Sequence, residues 1–390
     1  MTMAEGELAI AELAYVRREP VAALPPPPQM RGARGWLRAN LLSSPFNIVL
    51  TIISVALIIW IAKTLIEFLL IDAVWTGTDR TACLVGEKHG EVGACWPFVW
   101  ERLNYFIYGS YPIPERWRVN VFFALLALGV AWMLWLDAPR RDIGAGYFFI
   151  VLPVASYILL HGAPPFGLAV VDTSLWGGVL VTIVVATVGI VISLPLGIVL
   201  ALGRRSRMPA VRLFSVIFIE FVRGVPLITV LFMASVMLPL FVPEELSPDK
   251  LVRALIGIAL FASAYMAEVV RAGLQAIPRG QYEAAMALGL KFWPSMGLII
   301  LPQALRITIP NIVNTTIGLF KDTTLVFIVG IFDLLRTVEV ARIDPKWATP
   351  VTSTTGYAVA ALFYFVFCYS MSRYARHMEA RLAAGERGRR

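Results

Sequence analysis

Apolar residues in this chain come in long unbroken runs rather than at alternate positions. Eight runs, at residues 47–70, 119–136, 146–160, 176–202, 213–241, 251–275, 311–332 and 356–372, approach the roughly 20 residues a helix needs to cross a hydrocarbon core. None shows the period-two alternation of a membrane barrel strand. The pattern therefore predicts an all-α, polytopic membrane protein with about eight transmembrane helices.

Composition agrees with the pattern: of 390 residues, 58% are hydrophobic and 15% charged, and the mean hydropathy is +0.74. The net charge of +8 would suggest nucleic acid as a partner in a soluble protein, but the basic residues here sit in short connectors and orient the chain instead. Arg31, Arg34 and Arg38 precede the first run, Arg140 and Arg141 follow the second, and Arg204, Arg205, Arg207 and Arg212 follow the fourth. Arg279 and Lys291 follow the sixth and Arg373, Arg376 and Arg381 the eighth, whereas Glu244, Glu245 and Asp249 follow the fifth. With eight crossings and the arginines inside, both termini are expected to be cytoplasmic. The N-terminus carries Glu5, Glu7 and Glu12 ahead of any arginine and then four consecutive prolines at 25–28; it reads as a tail rather than a cleaved signal peptide.

The connector at 71–118 is long, mixes both charges and carries Trp75, Trp96, Trp100 and Trp117. It reads as a segment lying along the membrane interface on aromatic anchors. It also holds Cys83 and Cys95, on the side where disulfides persist; the pair is open to a bridge or to two free thiols, because spacing does not set geometry. Cys368 lies inside a run and packs there.

Chemistry of the enzymatic kind is not in view. A phosphate-cradling loop needs a glycine directly before its lysine, and no lysine here follows a glycine, so ATP is not expected to be hydrolysed by this chain. The histidines His89, His161 and His377 are scattered and form no metal-ligand spacing with cysteine. The segment that stands out runs from Ile277 to Ala304. Pro278 and Gly280 break the preceding helix, Glu283 suits the start of a new one, Ala284, Ala285 and Ala287 extend it, and Gly289 can end it. On physical grounds the resulting short helix either docks in a partner's groove or rests at the membrane surface with Leu288, Leu290, Phe292 and Trp293 in the interface.

Resemblance separates these readings. Glu283-Ala284-Ala285, then Gly289, then Ile299, Leu301 and Pro302 match the EAA loop of bacterial ATP-binding-cassette (ABC) importer permeases at the same spacing. Arg223-Gly224-Val225-Pro226-Leu227, Ala264-Tyr265-Met266-Ala267-Glu268 with Arg271, and Lys321-Asp322-Thr323-Thr324-Leu325 resemble the polar amino acid permeases of the histidine and glutamine type. The resemblance covers roughly residues 176–376, and the extra spans before it look like the larger permeases of general L-amino acid transporters. It implies a type I ABC importer permease core at 171–376, preceded by a tail at 1–45 and an accessory region with three spans and a periplasmic loop at 46–170, and followed by a tail at 377–390. It further implies a non-catalytic subunit with no cofactor of its own. Its partners would be cytoplasmic ATPase subunits met by Glu283, Ala284, Ala285 and Gly289, a second permease that is a paralogue or a copy, a periplasmic amino-acid-binding protein and membrane lipid.

Charged residues inside spans cost roughly 2.5–3.5 kcal/mol to insert and mark pathways or pairs; Glu220, Arg223, Glu268, Arg271, Lys321 and Asp322 qualify. A zwitterionic cargo needs an acceptor for its ammonium and donors for its carboxylate, and Glu268, Arg223, Arg271, Lys321 and Asp322 supply both. Glu268 is the candidate for the ammonium, unless it and Arg271, three residues on, neutralise each other. Gly224 and Pro226 either break the fifth span or serve its packing. Lys63 and Glu67 are spaced for an ion pair at the edge of the first span. The coupling segment distinguishes this reading from a self-powered secondary transporter and from a membrane scaffold, neither of which accounts for it.

Overall fold

The computed structural model describes residues 32–84, 92–135, 138–243 and 246–387. The N-terminal reading up to residue 31, His89, Glu244 and Glu245 lie outside the described residues. The chain forms two compact units that divide between Leu70 and Ile71.

In the first unit, α1 (Gly32–Asn40) precedes α2 (Pro45–Ile66). Ser44 starts α2 by accepting the Asn47 N–H at 3.1 Å, with Pro45 at the first turn where a missing N–H costs nothing. None of its residues is buried within the chain, as a helix solvated by lipid allows. Lys63 and Glu67 approach to 3.7 Å on its exposed surface.

The second unit is built around α7 (Gly178–Arg204) and α11 (Lys250–Ala276), the most extensively packed pair. Around them stand α4 (Arg116–Leu134), the run α5 (Arg141–Gly146) to α6 (Leu152–His161), α8 (Pro209–Gly224), α14 (Leu301–Asp322) and α16 (Pro350–Arg387). Tyr111, Val119, Phe122 and Leu160 from the first part of the unit share one apolar core with Trp176, Leu180, Leu251 and Phe320 from the second. Seven helices among the described residues are long and apolar enough to cross a membrane, or eight when a bent pair is counted as one span. The all-α, polytopic class with about eight spans is thereby borne out.

Two spans differ in shape from expectation. Residues 213–241 do not form one rod: α8 ends at Gly224, and α9 (Leu227–Phe232), which continues to Phe241, leaves at a 106° bend. Pro226 causes this, because it drives Val225 into an extended conformation (φ −109°, ψ 137°) and cannot donate to the preceding turn. The span expected at 311–332 is part of a continuous 38-residue helical stretch from Phe292 to Val329. Pro302 sits in the first turn of α14, and Pro310 is accommodated within it.

The long connector at 71–118 also differs. Instead of only resting on the interface, it folds into α3 (Trp96–Tyr108) and packs on the connector before α16. Phe98 and Phe106 are buried with Trp347, Leu334 and Val338. Cys83 and Cys95 form a disulfide with Cα atoms 5.8 Å apart, and the Cys95 N–H donates to Thr355 Oγ1 at 2.9 Å. Arg102 pairs with Asp344, and Lys346 Nζ lies 2.7 Å from Glu101. The backbones of Gly109 and Gly177 meet so closely that a Cβ on Gly109 would lie 2.4 Å from the Gly177 Cα, so no side chain fits there. Trp75, Trp100 and Trp117 stay half exposed.

Candidate coupling helix and intramembrane charge cluster

The segment after α11 folds as its residues dictate. Pro278 caps α12 (Arg279–Ala287), and Gly289 ends it in the left-handed conformation (φ +72°), its N–H donating to the Met286 carbonyl at 2.9 Å. The helix is tied at its base. Tyr282 Oη donates to the Leu274 carbonyl at 3.0 Å, Arg205 reaches the same carbonyl at 3.1 Å and Tyr282 Oη at 3.0 Å, and Gln303 donates to Gln281 at 3.2 Å. These bonds connect α12 to the ends of α7, α11 and α14.

Glu283, Ala284 and Gly289 are exposed, whereas Ala285 is fully buried in its own chain. Of the four residues expected to meet the ATPase, Ala285 therefore packs beneath the helix against its own chain while the other three face outward; helical geometry places position 285 on the inner face. Met286, at 65% exposed, and Leu288, at 75%, present apolar surface beside the outer positions.

The second constellation joins three helices. Glu268 of α11 receives Arg271 at 2.7 Å and Arg204, the last residue of α7, at 2.9 Å, with Arg223 of α8 at 3.8 Å. Arg204 also holds Glu220 of α8 at 2.8 Å, and Arg223 lies over the Tyr265 ring at 5.6 Å. Both oxygens of Glu268 are thus occupied by guanidinium groups, and a cargo ammonium would have to displace one. The cluster holds three arginines against two glutamates, which gives +1 and makes it a better site for a carboxylate than for an ammonium.

Lys321 and Asp322 are not part of this cluster. A Cβ on Gly273 of α11 would lie 2.7 Å from the Ala304 carbonyl and 2.6 Å from Thr308, which sets the register between α11 and α14. Glu268 is then level with about residue 311, and Lys321 stands ten residues, roughly 15 Å, farther along α14 toward its C-terminal end. Arg204 and Glu220 belong to the cluster although sequence reading did not assign them to a site. Arg204 had the pattern of an orienting arginine, and only the fold turns it back toward Glu268.

A chain of seven or eight apolar helices, carrying a short exposed helix rooted at the ends of three of them, defines a polytopic membrane component. The chain belongs to the family of binding-protein-dependent transport system inner membrane components, whose description matches residues 193–384; its relative in Escherichia coli K12 below is matched over nearly its whole length. That relative, the inner membrane amino-acid ABC transporter permease protein YhdY, is 50% identical over 350 residues, covering 90% of this chain and 93% of the relative. The glutamate/glutamine/aspartate/asparagine transport system permease protein BztC of Rhodobacter capsulatus is 39% identical, covering 97% of this chain and 100% of the relative. A solved amino acid ABC transporter with histidines is 28% identical with a TM-score of 0.46, covering 52% of this chain and 92% of that one. The protein is thus an inner membrane permease component of an ABC importer, a membrane subunit that works with a separate ATPase and a substrate-binding protein.

Proposed function

We propose that this permease carries polar L-amino acids, over a broad range, from periplasm to cytoplasm, with both termini in the cytoplasm. The names of YhdY and BztC support amino acid cargo, and the arginine-rich cluster around Glu268 suits carboxylate-bearing solutes. Two permeases, this chain with a paralogue or a copy, form the path, and a periplasmic amino-acid-binding protein delivers the cargo. The exposed charges Glu220 and Arg223 support a second permease or an aqueous path on their side, since lipid would disfavour them.

The observation that carries this reading is the exposed α12, anchored through Tyr282 and Arg205. Glu283, Ala284 and Gly289 face the ATPase, and closure of two ATPases pulls α12 and the spans attached to it. In proteoliposomes with ATPase and binding protein, Gly289→Val should abolish ATP-dependent amino acid uptake while the protein still inserts. A β-branched residue at φ +72° costs roughly 1–3 kcal/mol and unwinds the cap. Gly289→Asn, which tolerates that conformation, should retain part of the uptake. Normal transport by Gly289→Val would overturn the coupling assignment.

A further inference from the structure

The exposed face of α14 has a composition that lipid does not favour. Ile307, Asn311, Asn314, Gly318 and Lys321 are all exposed on the chain, and their spacing of 4, 3, 4 and 3 residues puts them on one stripe of the helix. The opposite side is buried, with Phe320 stacked on Phe363 and Phe367 and Leu319 packed near Gly189. Thr315 and Thr316 satisfy themselves by donating to the carbonyls four residues back, at 2.9 Å each. The side-chain amides of Asn311 and Asn314 have no hydrogen-bond partner among the described residues, and Lys321 has no carboxylate within 4.0 Å.

Unpaired amides and an ammonium at membrane depth are expensive in hydrocarbon and inexpensive in water. The stripe also has room, because nothing lies within 4 Å of where a Cβ would stand on Gly318. Helical side chains lean toward the N-terminal end, so Lys321, one turn on, is within reach of the space beside Gly318 and Asn314. A cation, a gap and an amide oxygen in line match the carboxylate and ammonium of an amino acid held in one orientation.

We propose that Asn314, Gly318 and Lys321, with Asn311 one turn farther in, line the cargo route and form a subsite for the α-amino acid moiety, the carboxylate on Lys321 and the ammonium on the Asn314 amide oxygen. This rests on the amino acid cargo proposed above and adds the place where the cargo is held. A subsite that grips the part common to all amino acids and leaves the side chain free is compatible with a broad range.

The test uses the full complex with ATPase and binding protein, this chain carrying Cys368→Ser so that it holds no other free thiol, with Asn311→Cys, Asn314→Cys or Gly318→Cys added singly. Leu362→Cys, at a 59% exposed position on α16, is the lipid-facing control. A charged, membrane-impermeant thiosulfonate should modify the three stripe positions about tenfold faster than the control, since lipid excludes the reagent by more than that factor. L-Glutamine or L-glutamate at about ten times its half-saturating concentration should slow modification at positions 314 and 318 by about tenfold through occupancy. Lack of labelling at the stripe would mean that the amides bond across to the second permease, and would overturn the proposal. Labelling that neither amino acid slows, in a complex that imports both, would overturn the subsite and leave the cargo reading standing. Absence of amino acid uptake by the unsubstituted complex would instead refute the cargo.

Discussion

Glu268→Gln tests the charge network most directly. The substitution preserves size and removes one carboxylate from a group of three guanidiniums and two carboxylates, so its net charge rises from +1 to +2. Arg204 keeps Glu220 at 2.8 Å, but Arg271 loses the carboxylate that it holds at 2.7 Å, and Arg223 loses its partner at 3.8 Å. The Glu268 side chain is only 16% exposed and that of Arg271 28%, so water replaces the lost bonds incompletely. Hydrogen bonds to charged groups contribute about 1.5–3 kcal/mol, and breaking a buried pair costs about 3–5 kcal/mol; partial exposure places the expected loss near the lower range, about 2–3 kcal/mol. Thermal unfolding of the complex in lipid nanodiscs should show a midpoint lowered by roughly 3 °C or more. Adding Arg271→Gln to Glu268→Gln restores the +1 balance, so the double variant should be more stable than the sum of the single losses predicts. An unchanged midpoint for Glu268→Gln, or strict additivity in the double variant, would refute the network as a structural clasp.

Two further outcomes concern the disulfide and Asp333. The Cys83–Cys95 bridge closes a short loop with a sequence separation of 12, which is worth about 3 kcal/mol in chain entropy. Its replacement by Cys83→Ser with Cys95→Ser should speed hydrogen exchange of the α3 amides by about 100-fold, and unchanged protection would show that Phe98 and Trp347 hold α3 unaided. Asp333, fully buried at the start of α15 (Leu334–Ala341), accepts the Leu335 and Arg336 N–H groups at 3.0 and 3.1 Å. Burial outweighs those bonds and pushes its carboxyl up to about 6 from the ordinary 3.8. A folded-state value above the unfolded one means that the folded chain binds the extra proton, so its contribution is fully present below about pH 4 and is lost as pH rises through about 6. Comparison of unfolding midpoints against Asp333→Asn should isolate a difference on the order of 2–3 kcal/mol between those limits; a pH-independent difference would contradict this.

Much of the fold was legible from local features. Apolar runs determine which segments cross the membrane, because each must satisfy its backbone internally whatever surrounds it. The coupling helix is equally local, since Pro278 and Gly289 impose backbone angles that need no distant contact. The break at Pro226 belongs with them, though its 106° angle does not.

What the sequence alone determined was therefore the class, the number of spans and the bounds of α12, all set by residues acting on their immediate neighbours. Tertiary structure decided which of four matching residues in the coupling motif faces outward, burying Ala285 and exposing Glu283, Ala284 and Gly289. It brought Arg204 to Glu268 across 64 residues and kept Lys321 a membrane half-thickness away from it, because helix register depends on contacts such as Gly273 against Ala304. It docked the connector at 71–118 on the segment before α16 through Trp347. Charge and hydropathy specify what a residue can do in a membrane; only packing between helices specifies which partner it does it with.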